Sequence, residues 1–592
     1  MASKDSVGDS SDGLQVELFH PDTEREPGDT NVTGLGFDVH PVVFPVALAV
    51  IALFIAATIA LGDGAAAAYT AVFDGINQYF GWFYILAVNI FIIALVYFGV
   101  SKYGKIRLGG VEAEQEFSTF SWMAMLFSAG MGIGLMFWSV AEPMWHMNTG
   151  GGNLFATAGG TGAEATGAAA QAALATTFFH WGFHPWAIYG LVALGLGFFS
   201  FNRGLPLTFR SVFYPLLGDR IYGWPGHVID LVTVFATLFG LGTSLGLGAQ
   251  QISAGLNVVA GVPSGTATQV GVIAFVTLIA TISVAAGLNK GIKRLSQLNV
   301  YVMIIFLAFI LAVGPTLFLL DGMVQSIGFY LQNFFEMSWY TDSFFGGVAG
   351  AGFASGARAG GYGDWGHYWT VYYWGWWLAW SPFVGLFIAR ISRGKTIRQM
   401  VLGVLLVPTT FSMIWLGAFG GAAIWADTIL NVGVATAVFD QGNAFAMFAM
   451  LDAYPLSAIT PLLAILLITT FFVTSSDSGS LVIDHLTSGG KTAVPRTQRI
   501  FWAVTEGAVA SVLLIGGGLT ALQTASITTG LPFAAILLVM VYSLYVGLNT
   551  EYTILMSEEF RERASEIAES GGELAGTGDA LPGDVSDVES SD

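Results

Sequence analysis

The run "WTVYYWGWWLAWSPFVGLFIAR", Trp369 to Arg390, carries 21 consecutive uncharged residues before its closing arginine. About 20 such residues, wound as a helix, cross the ~30 Å hydrocarbon core of a bilayer. The run therefore reads as a membrane span, and its tryptophans need a reason. Tryptophan in membrane proteins gathers at the two water interfaces, but Trp376, Trp377 and Trp380 fall near the middle of this run. Spacings of three and four residues put their rings on one helical face. One reading is helix packing by large side chains. Tight packing in membranes favours small residues, however, and grouped aromatic faces attract quaternary ammonium ions, which suits a methylated ammonium ligand.

Applied along all 592 residues, which are 54% hydrophobic and 10% charged, the same test finds about 12 spans. They start near Val42, Phe80, Phe117, Gln171, His227, Ala267, Leu298, Gly366, Gln399, Ile459, Ile500 and Pro532. The expectation is an all-α polytopic membrane protein. Basic residues fall in alternate loops: Lys102, Lys105 and Arg107; Arg203, Arg210 and Arg220; Lys290, Lys293 and Arg294; Arg390, Arg393, Lys395 and Arg398; Lys491, Arg496 and Arg499. The other loops hold only Arg358. By the positive-inside rule the basic loops, and with them both termini, face the cytoplasm of a multi-pass protein in the cell membrane.

The formal charge of −19 sits mostly in the tails. Residues 1–40 hold 9 acids and 2 bases, and residues 548–592 hold 12 acids and 2 bases. Both read as acidic, disordered cytoplasmic tails flanking a transmembrane domain over 41–547. With no cysteine, no disulfide framework is available. The N-terminus lacks the order of a cleaved signal peptide, and the Asn31 glycosylation triplet lies on the cytoplasmic tail.

Two further stretches carry chemistry. "LFSAGMGIGLMFW" places Gly130, Gly132 and Gly134 at alternate positions of the third span, ahead of Glu142 and Pro143. Such glycines either form a close-contact seam or unwind the helix beside a cavity, where freed carbonyls can coordinate a cation. "FFVTSSDSGS" puts Thr474, Ser475, Ser476, Asp477 and Ser478 in an otherwise apolar span. Hydroxyls there bond back to their own helix or serve a hard cation such as sodium, and a buried carboxylate marks an ion or substrate path. Two lookalikes fail. "GTSLG", Gly242 to Gly246, lacks the strand-turn-helix setting of a nucleophile elbow. His180 and His184 are four apart, but no glutamate between or after them completes a zinc site, so they read as satisfied histidines beside a cavity. No Lys-Ser/Thr follows the glycines, as a nucleotide loop requires, and nothing points to nucleic acid.

Five stretches in order, "FSTFSWMAMLFSAGMGIGLMFW" with its Glu-Pro pair, "FHWGFHPWAIY", "SLGLGAQQI", "WGWWLAWSPFVGLFIARISRGKTIR" and "TSSDSGS", resemble the betaine/choline/carnitine transporters from Val42 to Leu548. The resemblance implies a LeuT-like core of two inverted five-helix repeats, about 117–320 and 366–547, preceded by two extra helices. It also implies a homotrimer in lipid, with an amphipathic helix matching "DGMVQSIGFYLQNFFEMSW". Trp376, Trp377 and Trp380 then correspond to the trimethylammonium cage, with Phe387 one to two turns further toward the cytoplasm. Trp181, Trp186 and Tyr189 correspond to aromatic lining from the fourth span, and Gly130, Gly132 and Gly134 to the substrate-contacting break. The sodium site maps to carbonyls of Ser128, Met131 and Phe471 and hydroxyls of Thr474 and Ser475.

For a second sodium, Thr237 and Phe383 match the pattern, but Leu241 replaces its second threonine. The expected function is sodium-driven import of glycine betaine for osmoprotection, with no cofactor other than the coupling ion. Alternatives are a proton-coupled choline carrier and a sodium-independent exchanger; no catalytic pair supports an enzyme. Choline carriers of the family tend to have aspartate at the position of Gly134, so the glycine favours betaine. An aspartate introduced there is expected to approach the ammonium and add choline uptake.

Overall fold

The computed structural model describes residues 25–111, 113–129, 132–148, 163–286, 289–341, 366–491, 493–557 and 560. Helices dominate. Helix α1 (Val43–Leu61) and α2 (Ala65–Val100) precede a bent pair, α3 (Thr119–Ala129) and α4 (Ile133–Asn148). A second pair, α5 (Ala163–Trp181) and α6 (Phe183–Phe201), is followed by α7 (Trp224–Ala260), α8 (Thr266–Ala286), α9 (Asn289–Val313) and α10 (Thr316–Gln332). The chain ends with α11 (Tyr372–Ile391), α12 (Ile397–Thr428), α13 (Thr460–Thr487) and α14 (Arg496–Leu555). Among the described residues the one sheet is a hairpin of β1 (Val32–Gly34) and β2 (Phe37–Val39).

Among the described residues, eight helical stretches are long and apolar enough to cross a membrane, or nine if α3 and α4, bent by 60°, form one span. The first and last, Val43–Val100 and Arg496–Leu555, have 58 and 60 residues. At ~1.5 Å per residue each would reach roughly three times the hydrocarbon thickness. Each is interrupted: the first by the turn Gly62–Gly64, the last at Gly518, whose φ of 58° and ψ of −132° leave the helical region. Gly130 and Met131 lie outside the described residues, but helix stops at Ala129 and resumes at Ile133 on either side of them.

The tryptophan helix α11 lies inside the bundle, packed against α6, α7 and α14. Its approach to α14 depends on missing side chains. A Cβ on Gly375 would sit 2.9 Å from Ile527 Cα, and one on Gly530 would sit 2.7 Å from the Gly375 carbonyl oxygen. On the α7 side, a Cβ on Gly240 would sit 2.9 Å from the Ala379 carbonyl carbon. The rings of α11 are large because its neighbours are small where the backbones cross.

Several basic loops meet at one end of the bundle. Arg107 donates to the Gly394 carbonyl at 2.6 Å and bridges to Thr396. Arg203 pairs with Glu551, which also accepts from Asn202 at 3.2 Å, and Arg210 pairs with Asp230. The N-terminal hairpin docks here too, so residues 25–40 of the expected disordered tail are folded. Asn31 donates to the Ser488 carbonyl at 3.0 Å, Lys491 reaches Asp38 at 2.5 Å, and the Asp38 N–H donates to Gln498 at 2.9 Å. His40 Nδ1 accepts the N–H groups of Val42 and Val43 at 3.2 Å each, which requires a neutral ring. Burial, with Arg210 and His227 nearby, holds that imidazole down at about 3. At the other terminus, α14 continues to Leu555, so the boundary expected at 548 falls within a helix.

Glu551 is fully buried and Arg203 nearly so. Removing one partner of such a pair leaves an uncompensated charge, so Glu551→Ala should cost about 3 kcal/mol of stability or more. Thermal unfolding in detergent measures this; a melting temperature equal to the parent's would show that Arg203 is adequately hydrated without its partner.

Candidate functional site

Tryptophans from two distant stretches face one cavity of about 50 Å³. Its lining includes Trp376, Trp377 and Trp380 from α11, Trp181, Pro185, Trp186 and Tyr189 from the α5–α6 region, Gly132 and Gly134 from the bent pair, and Ser244 from α7. All the expected substrate-binding residues in the described chain except Phe387, including the three cage tryptophans, thus share one space. The indoles are fixed at their N–H ends. Trp376 Nε1 donates to Ser244 Oγ at 3.3 Å, Trp377 Nε1 to the His180 carbonyl at 2.9 Å, and Trp380 Nε1 to the Gly240 carbonyl at 2.9 Å. Ser244, the serine of the rejected nucleophile motif, therefore orients a ring.

Trp376 and Trp377 do not form two walls of a slot. Their rings stack at 4.7 Å and 15°, with Tyr372 stacked on Trp376 at 5.7 Å. A cation held between two ring faces needs several ångströms on each side, so an ammonium must lie against this stack rather than inside it. Trp181 closes the array, edge-on to Trp377 at 4.8 Å, and Trp186 stands edge-on to Tyr189 at 5.3 Å.

A second, larger cavity of about 160 Å³ is lined by Ser128, Phe471, Thr474, Ser475 and Ser478, together with Ser296 and Asn299 of α9 and Phe383 and Phe387 of α11. Four of the five expected sodium ligands therefore converge, and the fifth, Met131, lies outside the described residues together with Gly130. The two cavities share Ala129, Trp380 and Val384, so the aromatic and hydroxyl-lined spaces adjoin. Thr474 Oγ1 donates to the carbonyls of Thr470 and Phe471 at 3.0 and 3.1 Å. That leaves its oxygen lone pairs available to a cation. Phe387 belongs to this second space, at its exposed rim. Thr237 lines neither cavity; it is buried and bonds back to Thr233 at 2.8 Å. Leu241 seats directly on Gly479 of α13.

The histidines differ from the sequence reading. His184 stacks on Trp374 at 5.1 Å and on Phe334 at 5.2 Å, and neither ring nitrogen has a hydrogen-bond partner among the described residues. His180 instead meets Glu142 at 2.6 Å and Thr370 at 3.0 Å, and His146 meets the same Glu142 oxygen at 3.2 Å. One ligand atom from each of Glu142, His146 and His180 falls within 4.8 Å of the others, but the facing imidazole nitrogens are hydrogen-bonded to the carboxylate itself, so the cluster is a hydrogen-bonded network. The glutamate missing from the His180–His184 pair thus comes from another span. The same carboxylate accepts from Trp181 Nε1 at 2.8 Å and from Tyr373 at 2.5 Å. Sequence reasoning passed over Glu142, although an ionisable residue inside a span was itself a signal. Asp477 lies outside the cavity lining and faces Arg499 at 3.5 Å.

The sequence pattern of the betaine/carnitine/choline family transporters matches residues 42–553. A glycine betaine transporter of Vibrio parahaemolyticus is 47% identical over 537 residues, covering 89% of this chain and 97% of that protein. A glycine betaine/proline/choline transporter of the same organism is 43% identical over 543 residues, covering 90% and 94%. A probable glycine betaine transporter of Desulfitobacterium hafniense is 42% identical over 509 residues, covering 85% and 96%.

Gly134 lies under the rings: a Cβ there would sit 2.5 Å from Trp376 Cη2 and 3.1 Å from Trp181 Cη2. The aspartate considered at this position thus finds no room unless the rings move first. Gly134→Ala should displace one of them and weaken binding of a trimethylammonium compound on the order of tenfold. Quenching of tryptophan fluorescence reads this, and unchanged affinity would mean the rings yield freely.

Proposed function

Because this chain belongs to the betaine/carnitine/choline transporter family, we propose that it imports glycine betaine across the cell membrane by sodium symport, for osmoprotection. The family makes it a multi-pass membrane transporter and not an enzyme. The observation that carries the substrate and ion reading is the junction at Ala129, Trp380 and Val384. An aromatic space suited to a trimethylammonium group adjoins an oxygen-lined space suited to a hard cation. Repeat-built transporters place substrate and ion together at a broken helix in this way.

The architecture we propose counts Val43–Val100 and Arg496–Leu555 as two crossings each, split at Gly62–Gly64 and Gly518. With the α3–α4 and α5–α6 pairs and α11 taken as one span each, this gives 12 spans: two leading helices, then two inverted repeats of five. The basic loops and both termini are cytoplasmic. The hydroxyl-lined cavity, reaching exposed Phe387 three residues before Arg390, then opens inward, while fully buried Glu142, His180 and Tyr373 close the opposite side. Exposed Leu317, Leu320, Val324 and Leu331 give α10 an apolar face for the proposed homotrimer or for lipid.

Choline is the second reading, favoured by the buried Glu142 carboxylate behind the cage and by the relative that is a glycine betaine/proline/choline transporter. Sodium-independent exchange is disfavoured, since no lysine or arginine occurs between Arg220 and Lys290 to replace the ion.

Uptake of labelled betaine and choline into proteoliposomes, with sodium and proton gradients imposed separately, tests this function. Betaine accumulation driven by sodium is expected, with a sodium Hill coefficient near one because Leu241 offers no ligand. Thr474→Ala with Ser475→Ala should raise the sodium concentration for half-maximal uptake by roughly fivefold or more, as two oxygen ligands are lost. Sodium dependence equal to the parent's would move the ion site elsewhere.

A further inference from the structure

Glu142 does not line the aromatic cavity, yet it holds the rings that do. Its side chain is fully buried, and both oxygens are occupied: Oε1 meets His180 Nδ1 and His146 Nε2, and Oε2 accepts from Trp181 Nε1 and Tyr373 Oη. Indole N–H and phenol O–H are donors by their chemistry, and with each imidazole carrying its proton on the nitrogen that faces Oε1 the four contacts match the acceptor sites of an ionised carboxylate. With His180 protonated on Nδ1, its Nε2 accepts from Thr370 at 3.0 Å, so a neutral ring satisfies both contacts. The partners come from three separate spans, α4, the α5 end and α11 with its preceding turn.

Two of these partners touch the tryptophans of α11. Trp181 stands 4.8 Å from Trp377 and 6.2 Å from Trp376. Tyr373 stacks at 5.5 Å on Trp377 and 6.3 Å on Trp376. The backbone of His180 also receives the Trp377 N–H. One carboxylate thereby fixes the mutual angles of the array. Hydrogen bonds in a low-dielectric interior polarise their members, so a carboxylate on an indole N–H drives electron density toward the ring face that a cation meets.

We propose that Glu142 is the positioning carboxylate of the cage: without contacting the ligand, it presets Trp181 and Tyr373 and supplies the negative potential that a quaternary ammonium group encounters. This rests on reading the aromatic cavity as an ammonium site. Its consequence is a specific division of kinetic effects. Loss of the carboxylate loosens and depolarises the rings, which weakens substrate binding, while the conformational cycle is spared.

The test is sodium-driven betaine uptake in proteoliposomes by the parent, Glu142→Gln, Trp181→Phe and the double variant, each normalised to protein eluting as a folded species from gel filtration. Glu142→Gln should raise KM on the order of tenfold, with maximal rate within about twofold of the parent. Because the carboxylate acts through the indole, the double variant should be no worse than the poorer single variant, a non-additivity characteristic of groups in one network. Should Glu142→Gln fail to fold, Tyr373→Phe removes one donor and leaves the carboxylate, and it should raise KM by about threefold. Parent-like KM in a folded Glu142→Gln variant, or in Tyr373→Phe if the former does not fold, overturns the proposal. So does a lowered maximal rate at unchanged KM, or a double variant whose losses multiply. A parent that takes up and binds no quaternary ammonium compound would remove both this proposal and the functional reading beneath it.

Discussion

A polar hydrogen inside a bilayer has no water to meet, and the central cavity is organised around four indole N–H groups that solve this by reaching other helices. Trp376 reaches Ser244, Trp377 reaches His180, Trp380 reaches Gly240, and Trp181 reaches Glu142. Each bond sets the tilt of a ring as well as satisfying a donor. By contrast, Trp374 and Trp415 are buried with no partner for their N–H groups among the described residues, and neither lines the cavity. Four of the rings that face the cavity are thus oriented through their N–H groups, whereas Trp374 and Trp415 fill volume.

Orientation by hydrogen bonds demands that the helices come close, and this explains where glycine occurs. Gly240 both accepts the Trp380 N–H at its carbonyl and lets α7 approach Ala379 of α11. Gly375 and Gly530 allow a similarly close approach between α11 and α14. A methyl group at any of these crossings would have to separate two backbones, shifting all the rings on α11 together. The aromatic cavity is therefore a property of two helix crossings as much as of its tryptophans.

Much of this was legible along the chain because it is periodic. The uncharged runs, the alternating basic loops and the spacing of Trp376, Trp377 and Trp380 each follow from one segment read alone. The convergence of Ser128 with Phe471, Thr474 and Ser475 became legible through motifs in order. What escaped was assembled from several segments. Glu142 draws donors from three spans, and no local spacing announces that. His180 looked like the partner of His184 by helical period, but the turn at Gly182 sends the two rings to different neighbours. The charge of the N-terminal stretch suggested disorder, whereas Asp38 and Asn31 find their partners more than 400 residues away. The room around Gly134 was likewise invisible, because the rings above it belong to other helices.

The contact between Leu241 and Gly479 reaches beyond packing. A Cβ on Gly479 would fall within the volume that Leu241 occupies, and Leu241 stands where the family resemblance leads one to expect a threonine for a second ion. Exchanging it for threonine alone would supply the hydroxyl but leave a hollow against α13, at a cost of roughly 2 kcal/mol or more. A compensating methyl at position 479, introduced first, would collide with the leucine. Under the proposed sodium coupling, a lineage could add a ligand here only by passing through a weakened transporter or by altering both positions together. On that proposal, coupling stoichiometry, usually discussed as a matter of ligands, becomes also a matter of evolutionary accessibility, guarded by a packing side chain.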